Sequence, residues 1–342
     1  MGHTDYIMPI IHVYDTTPED QDSLKDQLAG AGDLRFSTEP LTDDTVDAEA
    51  EVISVFVTSP VGNDLVRKFP KLKLIACRST GFNHVDIQAA SEQGVTVVNV
   101  PSYGEHTVAE YTFGLLLALT RRIIAASEAF QAGTADHDSL RGTDLNGKAL
   151  GLIGTGHIGR NVATIAGGFG MTVKAYDAYP DADWAQRVGV TYAELDEVIS
   201  TSDVVTLHIP YSESVHHLID AAKLKLMRPT AIVVNTARGE LIDTVALLEA
   251  LIAGQLQGAV LDVFEGESLV DVHNELRTLR LSGKQELLEQ GVELDILRKL
   301  PNVLVTNHNA FNTTEALGRI NQTTADNIKK FLDGKTQNSV TK

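Results

Sequence analysis

Arg238, Asp262, Glu267 and His308 lie in the last third of the chain and carry groups suited to carboxylate and proton chemistry. Each follows a short apolar run. Arg238 closes "AIVVNTAR", Asp262 and Glu267 fall in "GAVLDVFEGE", and His308 comes after "VLV" in "VLVTNHNAF". A guanidinium grips a carboxylate through two parallel hydrogen bonds. A charged imidazole hands a proton to a ketone oxygen, and a neighbouring carboxylate such as Glu267 would support that charged form. Given a hydride donor, the set suits reduction of a 2-keto acid. Taken singly, none of the four is diagnostic. A histidine at a strand end is ordinarily structural, an arginine there usually faces water, and Asp262 could simply cap a turn. What unites them is position: all follow expected strands, at the carboxyl edge where open parallel sheets bind ligands.

The hydride donor has its own signal. "LGLIGTGHIGR" holds Gly154-x-Gly156-x-x-Gly159 between an apolar strand and a helix-compatible run. Gly154 permits the tight turn, Gly156 lets the backbone approach a pyrophosphate, and Gly159 lets helix and strand pack closely. The helix start offers N–H groups and the positive end of its dipole to the anion. The next strand, "TVKAYD", ends in Asp177. Its carboxylate would accept hydrogen bonds from ribose hydroxyls and repel a 2′-phosphate, so NAD is expected over NADP.

These motifs need sheets to hold them. "IMPIIHVYD", "EVISVFV", "KLKLIAC" and "VTVVNV" read as strands, alternating with helices such as "PEDQDSLKDQLAGAG" and "VDIQAASEQGV". A long helix is expected from about Glu105 to Ala132, closed by Gly133. A second series of strands follows: "ALGLIG", "TVKAYD", "DVVTLHI", "AIVVNT", "GAVLDV" and a short buried strand, Val303 to Val305. The segment from Ser268 to Leu300 is charged and helix-like. Such alternation implies parallel sheets covered on both faces, and 342 residues suit two domains.

Composition narrows the rest. A net charge of −18 argues against nucleic acid as a partner and requires local positive groups to hold a small anion. No run approaches a membrane span, and the start MGHTDYIMPI has no secretory pattern. Cys77 is the single cysteine, compatible with a reducing compartment and expected to be buried and inert. No metal site is expected. His216 and His217 are adjacent and would diverge on a helix or strand, and no HExxH run is present.

The chain resembles the D-2-hydroxyacid dehydrogenases, and within them the D-lactate dehydrogenase branch. The likeness is carried in order by "RSTGFNHVDI", "NVPSYGEHTVAEYTFGLLLAL", "GLIGTGHIGR", "LHIPYSESVHHLI", "VVNTARGELID", "LDVFEGE" and "TNHNAFNTTEAL". It implies an α/β architecture of two Rossmann/flavodoxin-like βα domains with parallel sheets and the active site in the cleft between them. The substrate-binding domain would comprise residues 1–101 plus 310–342, and the NAD-binding Rossmann domain residues 102–309. Arg238, Glu267 and His308 would form the catalytic triad. Thr80, Gly81, Tyr103 and Arg238 would receive the substrate carboxylate, and Phe311 and Phe56 would line its side-chain pocket. NAD would meet Gly154, Gly156, His157, Ile158, Gly159, Asp177, Ile209, Pro210, Ser214, Thr236, Ala237, Arg238 and Asp262. The resemblance further implies a cytoplasmic homodimer, joined through the long helix after Tyr103, that interconverts pyruvate and D-lactate. A bulkier 2-keto acid, or an NAD-sensing corepressor role, is the alternative. Two positions depart from the family pattern: Asn307 and Ser268 stand where many relatives have proline.

Overall fold

The computed structural model describes residues 8–134, 136–265 and 292–341. The chain divides into two compact units, Met1–Tyr103 with Asn312–Lys342, and Gly104–Phe311. Both are α/β units on all-parallel sheets, the class that the alternating apolar runs imply.

The first unit runs β1 (Ile10–Val13), α1 (Pro18–Gln27), β2 (Asp33–Phe36), β3 (Val52–Val55), α2 (Asn63–Val66), β4 (Leu74–Cys77), α3 (Ile87–Glu92) and β5 (Thr96–Val98). Its strand order is β2-β1-β3-β4-β5. β1 alternates half-buried and buried residues, while β3 and β4 are buried throughout. Ile53, Val55, Ile75 and Cys77 face one core, and Val52, Leu74 and Ala76 face the other. α1 starts on a reciprocal cap: the Thr17 hydroxyl accepts from the Asp20 amide, and the Asp20 carboxylate accepts from the Thr17 amide. β2 is an edge strand that apolar runs alone did not reveal, because DLRF is only partly buried.

The second unit runs α4 (Glu105–Thr120), α5 (Ile123–Gln131), β6 (Ala149–Ile153), α6 (His157–Gly168), β7 (Thr172–Tyr176), α7 (Ala182–Val188), β8 (Thr191–Tyr192), α8 (Leu195–Thr201), β9 (Val204–Leu207), α9 (Ala221–Leu226), β10 (Ile232–Asn235), α10 (Thr244–Ile252), β11 (Gly258–Leu261) and β12 (Val303–Val305). The chain then returns to the first unit as α11 (Thr314–Leu332). The second sheet has the order β12-β11-β10-β9-β6-β7-β8. The order reverses between β6 and β9, the switch point at which such sheets open a crevice. Alternate residues of one strand feed opposite cores: Val204 packs on one side, Val205 and Leu207 on the other.

Two expectations need correction. The helix expected from Glu105 to Ala132 is two helices, α4 and α5, broken at Arg121–Arg122. Arg122 takes left-handed dihedrals, φ 50 and ψ 37. The Thr120 carbonyl accepts from the Thr143 amide, and the Thr120 hydroxyl bonds back to Leu116. The 142–143 segment thus packs against the end of α4. β12, expected to be buried, is half-buried, because it forms one edge of its sheet.

Candidate active site

β6 ends at Ile153, and the chain turns at Gly154 with φ +98, a conformation open to glycine and little else. A side chain at Gly154 would meet the His208 carbonyl and Ile209, because the loop after β9 closes on it. A side chain at Gly159 would collide with the Gly154 carbonyl oxygen. Gly156, the residue just before α6, is exposed, with open space where a side chain would be, and makes no side-chain cap. The opening turn of α6 therefore presents its N–H groups without an internal side-chain partner, as a bound pyrophosphate requires. His157 is exposed at the helix start, and Ile158 packs partly into the core below.

Asp177 is tied into the turn after β6 and into its own loop. One of its oxygens accepts from the Thr155 amide at 2.6 Å and the Thr155 hydroxyl at 2.8 Å, and the other accepts from the Tyr179 amide at 2.8 Å. Burial pushes its carboxyl up, but these donors more than offset it and hold the group below the usual carboxylate range. A carboxylate has about four acceptor positions. Three are in use, which leaves room for a ribose hydroxyl. Sequence patterns missed Thr155 and Arg160. The Arg160 guanidinium donates to the Thr155 carbonyl and to Asp181, and lies 4.9 Å over the Trp184 ring. The loop, its helix and Asp177 form one braced unit that fits a dinucleotide.

Three further loops leave β10, β11 and β12, which are neighbours in the sheet. Asn235 at the end of β10 shapes the first: its amide nitrogen donates to the Arg238 carbonyl and its oxygen accepts from the Ala237 amide. Arg238 is half-buried, and its guanidinium donates to the Ala237 carbonyl at 2.6 Å. Gly239 seats this loop on the next. A side chain there would collide with the backbone of Phe264 and Glu265. Thr236 is buried, its hydroxyl 3.1 Å from that of Thr112 on α4.

Asp262 is fully buried and organises the third loop. One oxygen accepts from the Thr306 hydroxyl at 2.6 Å and the Asn309 amide at 2.8 Å. The other accepts from the Ala310 amide at 2.9 Å. The Asp262 carbonyl accepts from the His308 amide at 2.7 Å. His308 is left-handed, φ 53, which turns the chain so that the following amides converge on one carboxylate. Strain of this kind persists where surrounding bonds over-determine it, commonly at functional sites. The imidazole meets the Phe311 ring edge-on at 6.5 Å. Arg238 and His308 thus both emerge at one sheet edge, on the two loops that flank the one after β11. Glu267 lies outside the described residues, as does most of the 268–300 segment. Residues 292–297 are helical.

On the loop after β9, Ile209 is partly buried and Pro210 exposed. The exposed Ser214 hydroxyl lies 2.9 Å from that of Ser212. His208 at the end of β9 went unremarked in the sequence. Its Nε2 lies 2.8 Å from the Thr206 hydroxyl, its Nδ1 is buried without a hydrogen-bond partner, and burial lowers its pKa to about 3.

The first unit holds the remaining expected residues. Thr80 and Gly81 follow β4, where the Thr80 hydroxyl donates to the Val100 carbonyl and the Asn99 amide donates to the Thr80 carbonyl. Arg78, buried just before them, donates to the carbonyls of Tyr14 and Asp15 and lies 5.9 Å from the Phe56 ring centre. The Tyr103 carbonyl accepts from Arg319 at 2.6 Å. Cys77 is buried, and burial pushes its thiol up to about 12, so it is no nucleophile.

One expectation about histidines fails. His216 and His217 do not diverge: their rings stack, 3.9 Å between centres and 22° between planes. His217 has φ 50, so the pair follows neither helix nor strand geometry.

Residues 113–310 match the family model of the D-isomer specific 2-hydroxyacid dehydrogenase, NAD binding domain. The chain belongs to this family. It is 40% identical over 298 residues to 2-hydroxyacid dehydrogenase homolog 1 of Schizosaccharomyces pombe, covering 85% of this chain and 86% of that one. The solved structure of the pyruvate reductase of Chlamydomonas reinhardtii superposes with a TM-score of 0.86 at 34% identity, over 96% of this chain and 98% of that one. The D-lactate dehydrogenase of Aquifex aeolicus, solved with NAD and lactic acid, gives 0.81 at 32% identity, over 95% and 96%. As a 2-hydroxyacid dehydrogenase, the chain is an NAD-dependent oxidoreductase. The braced glycine loop and Asp177 suit that cofactor.

Proposed function

We propose that this dehydrogenase interconverts pyruvate and D-lactate, with Arg238, Glu267 and His308 as its catalytic residues. The observation that carries the reading is the Asp262 clamp, which holds the His308 loop at the sheet edge that also carries Arg238. The glycine loop would hold NADH, which when bound would supply hydride to the keto carbon. Arg238 grips the substrate carboxylate and sets the carbonyl's orientation. His308 donates a proton to the carbonyl oxygen, and a 2-hydroxy acid results. In the oxidative direction the neutral ring takes the proton back. Glu267 supports the charged ring.

The other assignments rest on the family pattern. Thr80, Gly81 and Tyr103 serve the carboxylate, and Phe56 and Phe311 the substrate side chain. His157, Ile158, Ile209, Pro210, Ser214, Thr236, Ala237 and Asp262 serve the cofactor. The solved relatives named pyruvate reductase and D-lactate dehydrogenase support a small side chain. A homodimer is proposed as well. α5 has no buried residue and exposes Ile123, Ile124 and Phe130, the last at 82%, an apolar face suited to a second copy. We place the enzyme in the cytoplasm, where the reduced Cys77 is at home. No helix among the described residues is long and apolar enough to cross a membrane.

The deciding experiment is NADH oxidation against a panel of 2-keto acids, with product chirality assigned. Pyruvate should exceed phenylpyruvate in kcat/KM and yield the D-isomer. A preference for phenylpyruvate, or an L-product, would overturn the assignment. Arg238→Ala should raise the KM for pyruvate and lower kcat. A variant that reduces pyruvate like the parent would show that Arg238 does not hold the carboxylate.

A further inference from the structure

His216, His217 and Glu265 bring one ligand atom each within 4.8 Å of one another. Two loops contribute. His216 and His217 follow the short turn Glu213–Val215, and Glu265 follows β11. The left-handed backbone at His217 stacks its ring on that of His216, and the His217 amide is fixed on the Glu240 carbonyl at 2.9 Å. His217 Nε2 lies 2.7 Å from Glu265 Oε1. The other carboxylate oxygen of Glu265 accepts from the Thr244 amide at 3.2 Å, which orients the side chain. The Tyr211 hydroxyl lies 3.4 Å from His216 Nδ1 and braces that ring.

We propose that His216, His217 and Glu265 form a zinc site. Two imidazoles and one carboxylate make a known three-ligand zinc set, which leaves a fourth position open to water. With bonds of about 2.1 Å, tetrahedral ligand atoms stand roughly 3.4 Å apart. Reaching that value takes side-chain rotations that open the His217–Glu265 pair and unstack the two rings, so that both imidazole planes aim at one ion. The Tyr211 hydroxyl and the Thr244 amide are the outer partners that a metal site needs to hold its ligands. A histidine pair with a carboxylate favours zinc over magnesium or calcium, which prefer oxygen ligands alone. Bound zinc would tie the 211–217 segment to the loop after β11, which leads two residues later in sequence to Glu267. The site does not rest on the catalytic assignment, and a zinc titration reads it separately from turnover.

The test is isothermal titration of the chelator-treated full-length protein with zinc chloride, with cobalt(II) absorption as a second reading. The parent should bind one zinc tightly and give the intense visible bands of tetrahedral cobalt. His216 is exposed, so His216→Ala should fold and turn over like the parent yet bind zinc at least tenfold more weakly. Glu265→Gln should do the same to zinc. Tyr211→Phe should weaken binding by about 10-fold or more through the lost brace. At His217 the left-handed backbone favours asparagine over alanine, and His217→Asn should abolish the cobalt bands. Parent-like zinc affinity and stoichiometry in His216→Ala would overturn the proposal. So would a parent that binds zinc only at millimolar concentration, whatever its dehydrogenase activity.

Discussion

The Asp262 clamp permits a worked test. Asp262→Asn keeps the shape of the side chain, removes its charge and turns one acceptor oxygen into a donor. Asp262 is fully buried and takes three donors: the Thr306 hydroxyl and the amides of Asn309 and Ala310. If the new NH₂ group faces the Ala310 amide, that bond is lost and a buried N–H is left unpaired, costing about 1–3 kcal/mol. The other two bonds weaken from charged to neutral acceptors, about 1 kcal/mol each. The total is about 3–5 kcal/mol, or roughly 10 °C in Tm for a protein of this size. The loop that loosens carries His308. A misplacement of about 1 Å at a catalytic group can cost on the order of 100-fold in rate, so kcat should drop by about that factor when assayed well below the transition. NADH affinity, followed by fluorescence, should change only a few-fold, because the deficit lies in proton transfer. Parent-like Tm and kcat would refute the claim that Asp262 positions His308. A loss confined to NADH affinity would limit Asp262 to its proposed cofactor role.

Four further outcomes follow from the geometry. Gly159→Ala places a methyl group against the Gly154 carbonyl, so NADH binding should be lost while far-UV circular dichroism keeps its α/β form. Retained nanomolar-to-micromolar binding would show that the loop relaxes around the methyl. Asp177→Ala should raise the kcat/KM for NADPH relative to NADH, and unchanged discrimination would mean that Asp177 only braces Thr155. His308→Ala should slow both directions by at least about 100-fold, the common worth of a general acid–base group. His208 predicts a stability slope. Its pKa falls from 6.5 unfolded to about 3 folded because of burial. Between those values the unfolded chain binds the extra proton, so stability is full above pH 6.5 and declines as pH falls toward 3, by up to about 1.4 kcal/mol per pH unit. Urea midpoints measured against pH should show this slope in the parent and lose it in His208→Gln.

Much of this site could be read in the residues themselves, because each informative piece was local. Gly154-x-Gly156-x-x-Gly159 states a turn, a close approach and a packing contact within six positions. Arg238, Asp262 and His308 each announce themselves at the end of a strand of three or four apolar residues. What could not be read depends on partners remote in sequence. Nothing around Asp262 reveals that its carboxylate will hold amides more than forty residues later. Nothing around Thr120 reveals that Thr143 will take its carbonyl and end α4 there. Rules for helices and strands also misjudged His216 and His217, since the left-handed residue that stacks them belongs to neither. Gly239 offered a weaker signal: a glycine near a strand end often marks the close approach of another backbone.

The return of α11 to the first unit bears on how the protein is made. Ala325 and Ile328 of α11 complete the apolar cluster containing Ile11, Val13, Val52, Leu74 and Ala76. Those residues leave the ribosome long before the helix that covers them. During synthesis that face of the sheet, covered only in part by Leu24 and Leu28, must wait until more than two hundred further residues have been translated. The second unit meets no such delay, since all its strands are contiguous in the chain. The nascent first unit is therefore the stretch on which a chaperone has reason to act, and removing α11 would injure a sheet translated long before it.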